Sequence, residues 1–251
     1  MALEEVRGEM NKPKTRLYIE NFLEPGCEVP LGRDHVHFLG NVLRIKPGDW
    51  INVFNADCGE WSATIGNLSK RHGVARLGEQ IRPPQSEPGA WLAFAPVKKT
   101  RTDFIVEKAT ELGVEKLLPV FTKFTATTRV NVERMGAIAI EAAEQCQRLS
   151  VPEIAQPCTL EELIADWPGT RKLFVADEKG GGVMLAQALS NDIEVSEHGF
   201  LVGPEGGFSD DELTFVKAQG FCRPIDLGPR ILRAETAAVA CLSVWNALTG
   251  R

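Results

Sequence analysis

The chain has 251 residues, 43% hydrophobic and 25% charged, the make-up of a globular protein with room for one large core or two ordinary ones. A formal net charge of −6 argues against broad, nonspecific binding to nucleic acid, and no apolar run approaches the roughly 20 residues needed to span a bilayer. The charge is uneven: residues 1–85 hold 11 basic and 11 acidic side chains, whereas the remaining 166 residues hold 17 and 23. A basic patch for a polyanion is therefore expected in the N-terminal part and at Lys98, Lys99 and Arg101.

Residues 1–14 are polar and read as a flexible extension, and their charges are unlike a signal peptide. The six scattered cysteines, Cys27, Cys58, Cys146, Cys158, Cys222 and Cys241, form no C-x-x-C pair. This predicts free thiols and a cytoplasmic location, with no disulfide framework and no zinc site. The first strand-like stretch is Arg16 to Phe22, and short apolar runs follow in "HVHFLGNVLRI" and "DWINVFNADCGEWSATI". Turn signals at Lys46-Pro47-Gly48-Asp49 and Ala56-Asp57-Cys58-Gly59 separate them, so residues 15–85 read as a small, mostly β domain, a barrel. His35 and His37 would share one face of a strand there, but two imidazoles without a third partner make no metal site.

The stretch "RPPQSEPG", Arg82 to Gly89, reads as a linker, and beyond it strands alternate with helices. "AWLAFAPV" is a buried strand, and a helix follows near Thr102 to Leu112. Strand "VEKLLPV" comes next, then a helix over about Val132 to Leu149. Thr159-Leu160-Glu161-Glu162 is a capping box, "RKLFVAD" and "GFLVG" are further strands, and Ala234 to Leu248 forms a last helix ending at Gly250. The alternation predicts an α/β fold with a mostly parallel sheet over residues 86–251.

Ligands of open α/β sheets bind outside the carboxyl ends of strands, which selects the loops after Val120, Val175, Val202 and Leu227. The loop in "LVGPEGGFSDDEL" has the glycines of a phosphate cradle but lacks the Lys-Ser/Thr ending of a P-loop. Ser209 reads as an N-cap with Asp210, Asp211 and Glu212 in the first turn, so carboxylates already satisfy the positive helix end. A phosphate would be repelled there, and a ligand with positive charge would fit best. The second loop, "LGPRILRAETAAVA", turns at Gly228-Pro229 and enters a helix past Arg230, Arg233 and Glu235.

These two segments, in this order near the C-terminus, resemble the signature segments of the SPOUT methyltransferases, specifically the 16S ribosomal RNA uracil-N3 methyltransferase family. "PVKKTRTDFIVEKATELGVEKLLPV" is similar to the family's first strand, helix and second strand, and "IEAAEQCQRLSVPEI" to its Glu-Ala-x-Glu-Gln-x-x-Arg segment. "HFLGNVLRIKPGDWINVFN" resembles the family's PUA-like β-barrel, so the likeness runs from about Arg16 to the end.

The resemblance implies a C-terminal methyltransferase domain tied in a trefoil knot, an RNA-presenting barrel, and a homodimer that methylates N3 of a uridine in 16S ribosomal RNA, on the assembled 30S subunit. It implies S-adenosylmethionine as cofactor. Leu201, Val202, Gly203, Pro204, Glu205, Gly206, Gly207, Leu227, Gly228, Ile231, Leu232, Thr236 and Ala237 would line its site. Arg233 is the first candidate to stabilise charge on the base, Arg230 the next, and Glu205 a fixer of the target strand or of the dimer partner. Arg16, Lys98, Lys99, Arg101, Arg129 and Arg148 would hold RNA. Phe124 stands where the family has arginine, leaving that phosphate contact to Arg129 or Lys123, or absent. Two alternatives stay open: a knotted methyltransferase with another RNA target, and a noncatalytic RNA-binding or ribosome-assembly protein.

Overall fold

The computed structural model describes residues 12–192 and 197–250. Its contacts divide the chain into two units, Met1–Ser86 with Ala143–Ser150, and Glu87–Ala142 with Val151–Arg251. Residues 1–11 of the expected extension lie outside the described residues.

The first unit is built on five strands: β1 (Arg16–Tyr18), β2 (Glu28–Leu31), β3 (Trp50–Asn55), β4 (Gly59–Leu68) and β5 (Gly73–Arg82). They form one sheet in the order β1-β3-β4-β5-β2, with β1 parallel to β3 and the other pairs antiparallel. Among the described residues β1 and β2 are the edges of this sheet. Leu17, Val29, Leu31, Ile51, Val53, Ala63 and Ile65 form its core.

The apolar run at 35–45 is a correction. It is helical, as α1 (Arg33–His37) continued by a π-helical turn over Phe38–Val42. Val36 and Leu39, three apart, are the residues it buries, a helical spacing that the run of apolar letters hid. His35 and His37 therefore do not share a strand face. Burial holds the His35 imidazole below its ordinary value, against the opposing pull of Asp34.

The second unit contains β6 (Trp91–Phe94), α2 (Lys99–Glu111), β7 (Lys116–Phe121), α3 (Val132–Cys146, whose residues from Ala143 on are counted with the first unit), β8 (Glu153–Ile154) and β9 (Cys158–Thr159). After these come α4 (Leu160–Asp166), β10 (Lys172–Ala176), β11 (Val183–Met184), α5 (Leu185–Asn191), β12 (His198–Val202), α6 (Asp210–Lys217), β13 (Cys222–Asp226) and α7 (Ala234–Thr249). The sheet order is β11-β13-β10-β12-β6-β7-β8, and every described pair in it is parallel. Successive strand residues serve opposite faces. Phe94, Phe174, Phe200 and Val202 join Ile105, Ala238 and Trp245 in one core, while Ala93, Leu173, Val175 and Leu201 join Leu163, Phe208 and Val216 in another. Helices thus cover both sides, and the strands read as continuous apolar runs.

Local signals fix the helix ends. The Thr159 hydroxyl accepts from the Glu162 N–H, and the Glu162 carboxylate accepts from the Thr159 N–H, closing the expected capping box. The last helix stops at Gly250, in the left-handed region at φ 68°. The helix expected to reach Leu149 ends at Cys146 instead, because Gln147 takes φ 66° and turns the chain.

Candidate functional site

The carboxyl ends of β10, β12 and β13 lie side by side, and the loops leaving them surround a cavity of about 280 Å³. The loop after β10 contributes Asp177, Glu178, Lys179 and Gly180. The β12 end contributes Val202, Gly203 and Pro204. Ile225 to Leu232 and then Ala234 and Ala237 of α7 complete the wall. Gly228 sits at φ 110°, a conformation a side chain would strain, which lets the chain turn back beside the cavity.

Three carboxylates line this space. Asp177 is almost fully buried and accepts from the Lys217 ammonium at 2.6 Å and from the Lys179 N–H at 3.0 Å. Asp226 accepts from the Gly228 N–H at 2.7 Å, which holds the second loop in its turn. Glu178 is exposed as a whole residue, yet its carboxyl is pushed above the ordinary range by desolvation first and by the Asp177 charge second, with Lys179 opposing. The Lys179 ammonium is itself committed to Asp210 at 2.5 Å. Beyond the cavity, the Ser209 hydroxyl accepts from the Glu212 N–H at 3.3 Å and Glu212 accepts from the Ser209 N–H at 2.8 Å. The start of α6 is capped from its own side chains, as its sequence predicts.

Of the thirteen residues expected to line a cofactor, Val202, Gly203, Pro204, Leu227, Gly228, Ile231, Leu232 and Ala237 surround the cavity. The other five do not. Leu201 points to the opposite face of the sheet, as alternation along a strand requires. Thr236 is exposed because Ala234 and Ala237, three apart on the helix, take the inward face. Gly206 lies against Phe124, whose Cβ is 3.0 Å from where a side chain on Gly206 would begin. Gly207, at φ 66°, is covered by the Glu178 carboxylate, so any side chain there would displace Glu178. Glu205 accepts from the Arg101 guanidinium at 2.8 Å.

The arginines separate. Arg230 lines the cavity and is exposed; Arg233 is exposed at the N-cap of α7 without capping it, and neither is ion-paired among the described residues. Arg129 lines a second cavity of about 720 Å³ with Thr102, Asp103, Asn131, Arg134 and Gln156. Lys98 is the exposed N-cap of α2, and the Lys99 side chain lies outside the described parts. Arg148 donates to the Ser150 hydroxyl at 2.7 Å.

Arg16 is engaged inside the first unit. It donates to Glu60 at 2.9 Å and to the carbonyls of Ala143, Glu144 and Arg148 at 3.0–3.2 Å, with its guanidinium 4.0 Å from the Phe54 ring centroid. A side chain 10% exposed with these acceptors ties separate segments of the first unit to one another. Burial pushes the Glu60 carboxyl up, but hydrogen bonds from Arg16, Asn52 and Arg82 outweigh it and hold the group below its ordinary value.

The residues after β10, Asp177 to Gly180, were not singled out individually in the sequence. The signal was the run Gly180-Gly181-Gly182 following a strand end already marked as a candidate loop.

A parallel sheet whose carboxyl-end loops enclose an acidic, glycine-turned cavity meets its class in known proteins. Residues 85–246 match the profile of the family described as RNA methyltransferase domain, and residues 31–77 match the RNA methyltransferase PUA domain. Ribosomal RNA small subunit methyltransferase E of Rickettsia conorii is 33% identical over 91% of this chain and 93% of its own, and that of Synechocystis is 33% identical over 88% and 73%. A crystal structure of the Neisseria gonorrhoeae ribosomal RNA small subunit methyltransferase E, bound to S-adenosyl methionine, has 28% identity and a TM-score of 0.82, covering 93% of this chain and 97% of that one. The chain belongs to the RNA methyltransferase family that these small-subunit methyltransferase E proteins represent.

Proposed function

We propose that the protein is an S-adenosylmethionine-dependent methyltransferase acting on N3 of a specific uridine in 16S ribosomal RNA, presented by the assembled 30S subunit. The observation that carries the reading is the acidic cavity at the carboxyl ends of β10, β12 and β13. Asp177, Glu178 and Asp226 give it a donor set that fits a cationic ligand. The lysine beside them is tied to Asp210. Bound there, S-adenosylmethionine supplies an electrophilic methyl group on a sulfonium centre.

The chain's own residues orient and neutralise. Val202, Gly203, Leu227, Gly228 and Leu232 hold the ligand against backbone and apolar wall, and Glu178 faces its positive charge. Uracil N3 sits on the Watson–Crick edge, so the target base must be unpaired to reach the cavity mouth. Arg233, exposed at the start of α7, is placed to stabilise charge developing on O2 and O4, because its guanidinium stays cationic and offers several donors. Arg230, on the cavity rim, is the alternative for that role.

In this reading residues 15–85 are an RNA-binding PUA-like domain, and residues 86–251 are a SPOUT methyltransferase domain whose last segment passes through a trefoil knot. The working form is a cytoplasmic homodimer, and Lys98, Lys99, Arg129 and Arg148 meet RNA. The capping box at Ser209 and Glu212 weighs against a phosphate-ligand enzyme. Calorimetric titration tests the cofactor: S-adenosylmethionine should bind, and ATP should not. Turnover at saturating RNA tests the arginine: Arg233→Ala should lose about a hundredfold in kcat, the scale of one removed charge-stabilising donor. Near-normal turnover would exclude Arg233 from that role.

A further inference from the structure

The first turn of α2 carries Lys98, Lys99 and Arg101 and no acidic residue, which is the wrong sign for a positive helix end. Arg101 resolves part of that conflict by reaching across two other segments. One terminal nitrogen of its guanidinium donates to Glu205 Oε1 at 2.8 Å, and its Nε lies 3.5 Å from Glu235 Oε1. Glu205 is the residue after Pro204, and Glu235 the residue after Ala234; Pro204 and Ala234 belong to two different chain segments that line the cavity. Glu235 is mostly buried, and its other carboxylate oxygen has no hydrogen-bond partner among the described residues. A buried carboxylate left half-satisfied is sensitive to the loss of a cationic partner.

We propose that Arg101 is a positioning residue that ties two cavity-lining segments, the 203–207 turn and the start of α7, to each other, rather than an RNA contact. The inference rests on the cofactor reading above. A planar guanidinium presents its donors to two carboxylates in fixed directions, whereas the donors of a lysine ammonium rotate. Arg101→Ala therefore frees the 203–207 turn and the first turn of α7 together while leaving the sheet beneath them intact.

Hydrogen exchange in the ligand-free protein reads the clamp directly. Arg101→Ala should raise exchange severalfold in both segments, and Arg101→Lys should restore one of them in part. Titration of S-adenosylmethionine reads the consequence. Arg101→Ala should weaken binding by about fivefold to tenfold, the scale of one or two partly exposed ion pairs, at unchanged kcat under saturating cofactor. Glu205→Gln should weaken it less and add little in the double variant. Unchanged exchange in either segment would overturn the clamp. So would a variant that keeps its cofactor affinity but binds 30S subunits more weakly, with a salt slope lower by about one, the mark of a lost phosphate contact. If the unaltered protein takes up no S-adenosylmethionine, the cofactor reading falls, and the exchange result still decides the clamp.

Discussion

Two arginine–glutamate clusters in this molecule use the same groups for different ends. In the first unit, Glu60 has a side chain 4% exposed and accepts from Arg16, Arg82 and Asn52, with every donor close and Arg16 further bound to backbone carbonyls. In the second unit, Arg101 joins Glu205, on the turn after β12, and Glu235, in the first turn of α7, with side chains 39% and 15% exposed. The buried cluster stabilises a fold, since removing one partner strands charges in a dry interior. The second cluster is less buried, at Arg101 and Glu205 above all, and is suited to holding two cavity-lining segments in register. Burial, and not residue type, decides whether an arginine is structural or available to a site.

Breaking the buried cluster should have the largest effect. Glu60→Ala leaves Arg16 without its main partner and should cost about 3–5 kcal/mol in urea unfolding. Because the folded state holds the Glu60 carboxyl below its ordinary 4.5, its contribution to stability is fully present above that value. It is lost as pH falls through the lower folded value, and unfolding midpoints measured on either side of that window check the sign. A variant as stable as the parent would remove the distinction between the clusters.

At the cavity, Gly207→Ala meets both the Glu178 carboxylate and a left-handed backbone. It should cost about 1–3 kcal/mol in stability and weaken S-adenosylmethionine binding at least tenfold by calorimetry. A smaller effect sharpens the electrostatics. The Glu178 carboxyl is held above its ordinary 4.5, so a cation in the cavity should bind progressively less well as pH drops through that raised value. Glu178→Gln should flatten this dependence and weaken binding a few-fold at neutral pH; an unchanged pH profile would exclude Glu178 as the responsive group.

Much of this was legible in the sequence, for physical reasons that also set its limits. The parallel sheet followed from apolar runs bounded by turns, and the capping boxes at Thr159 and Ser209 from side chains that satisfy their own helix ends. Both signature loops were found because glycine and proline mark turns. Which side of a loop faces the ligand was not legible: Leu201 and Thr236 are one or two residues from cavity-lining neighbours yet face away, since strand and helix periods rotate them out. The partners of Arg16 within the first unit were not legible, because they lie up to 132 positions away, at Arg148, beyond any local pattern. The helix at 33–42 was hidden by apolar and histidine residues that read equally well as a strand.

The most direct test is incubation of the purified protein with methyl-labelled S-adenosylmethionine and 30S subunits lacking native modification, followed by nucleoside mass spectrometry of the 16S RNA. Label in 3-methyluridine at a single position is the expected result. Label in another nucleoside, or none despite measurable cofactor binding, would contradict the assignment of this cavity to uracil-N3 methylation.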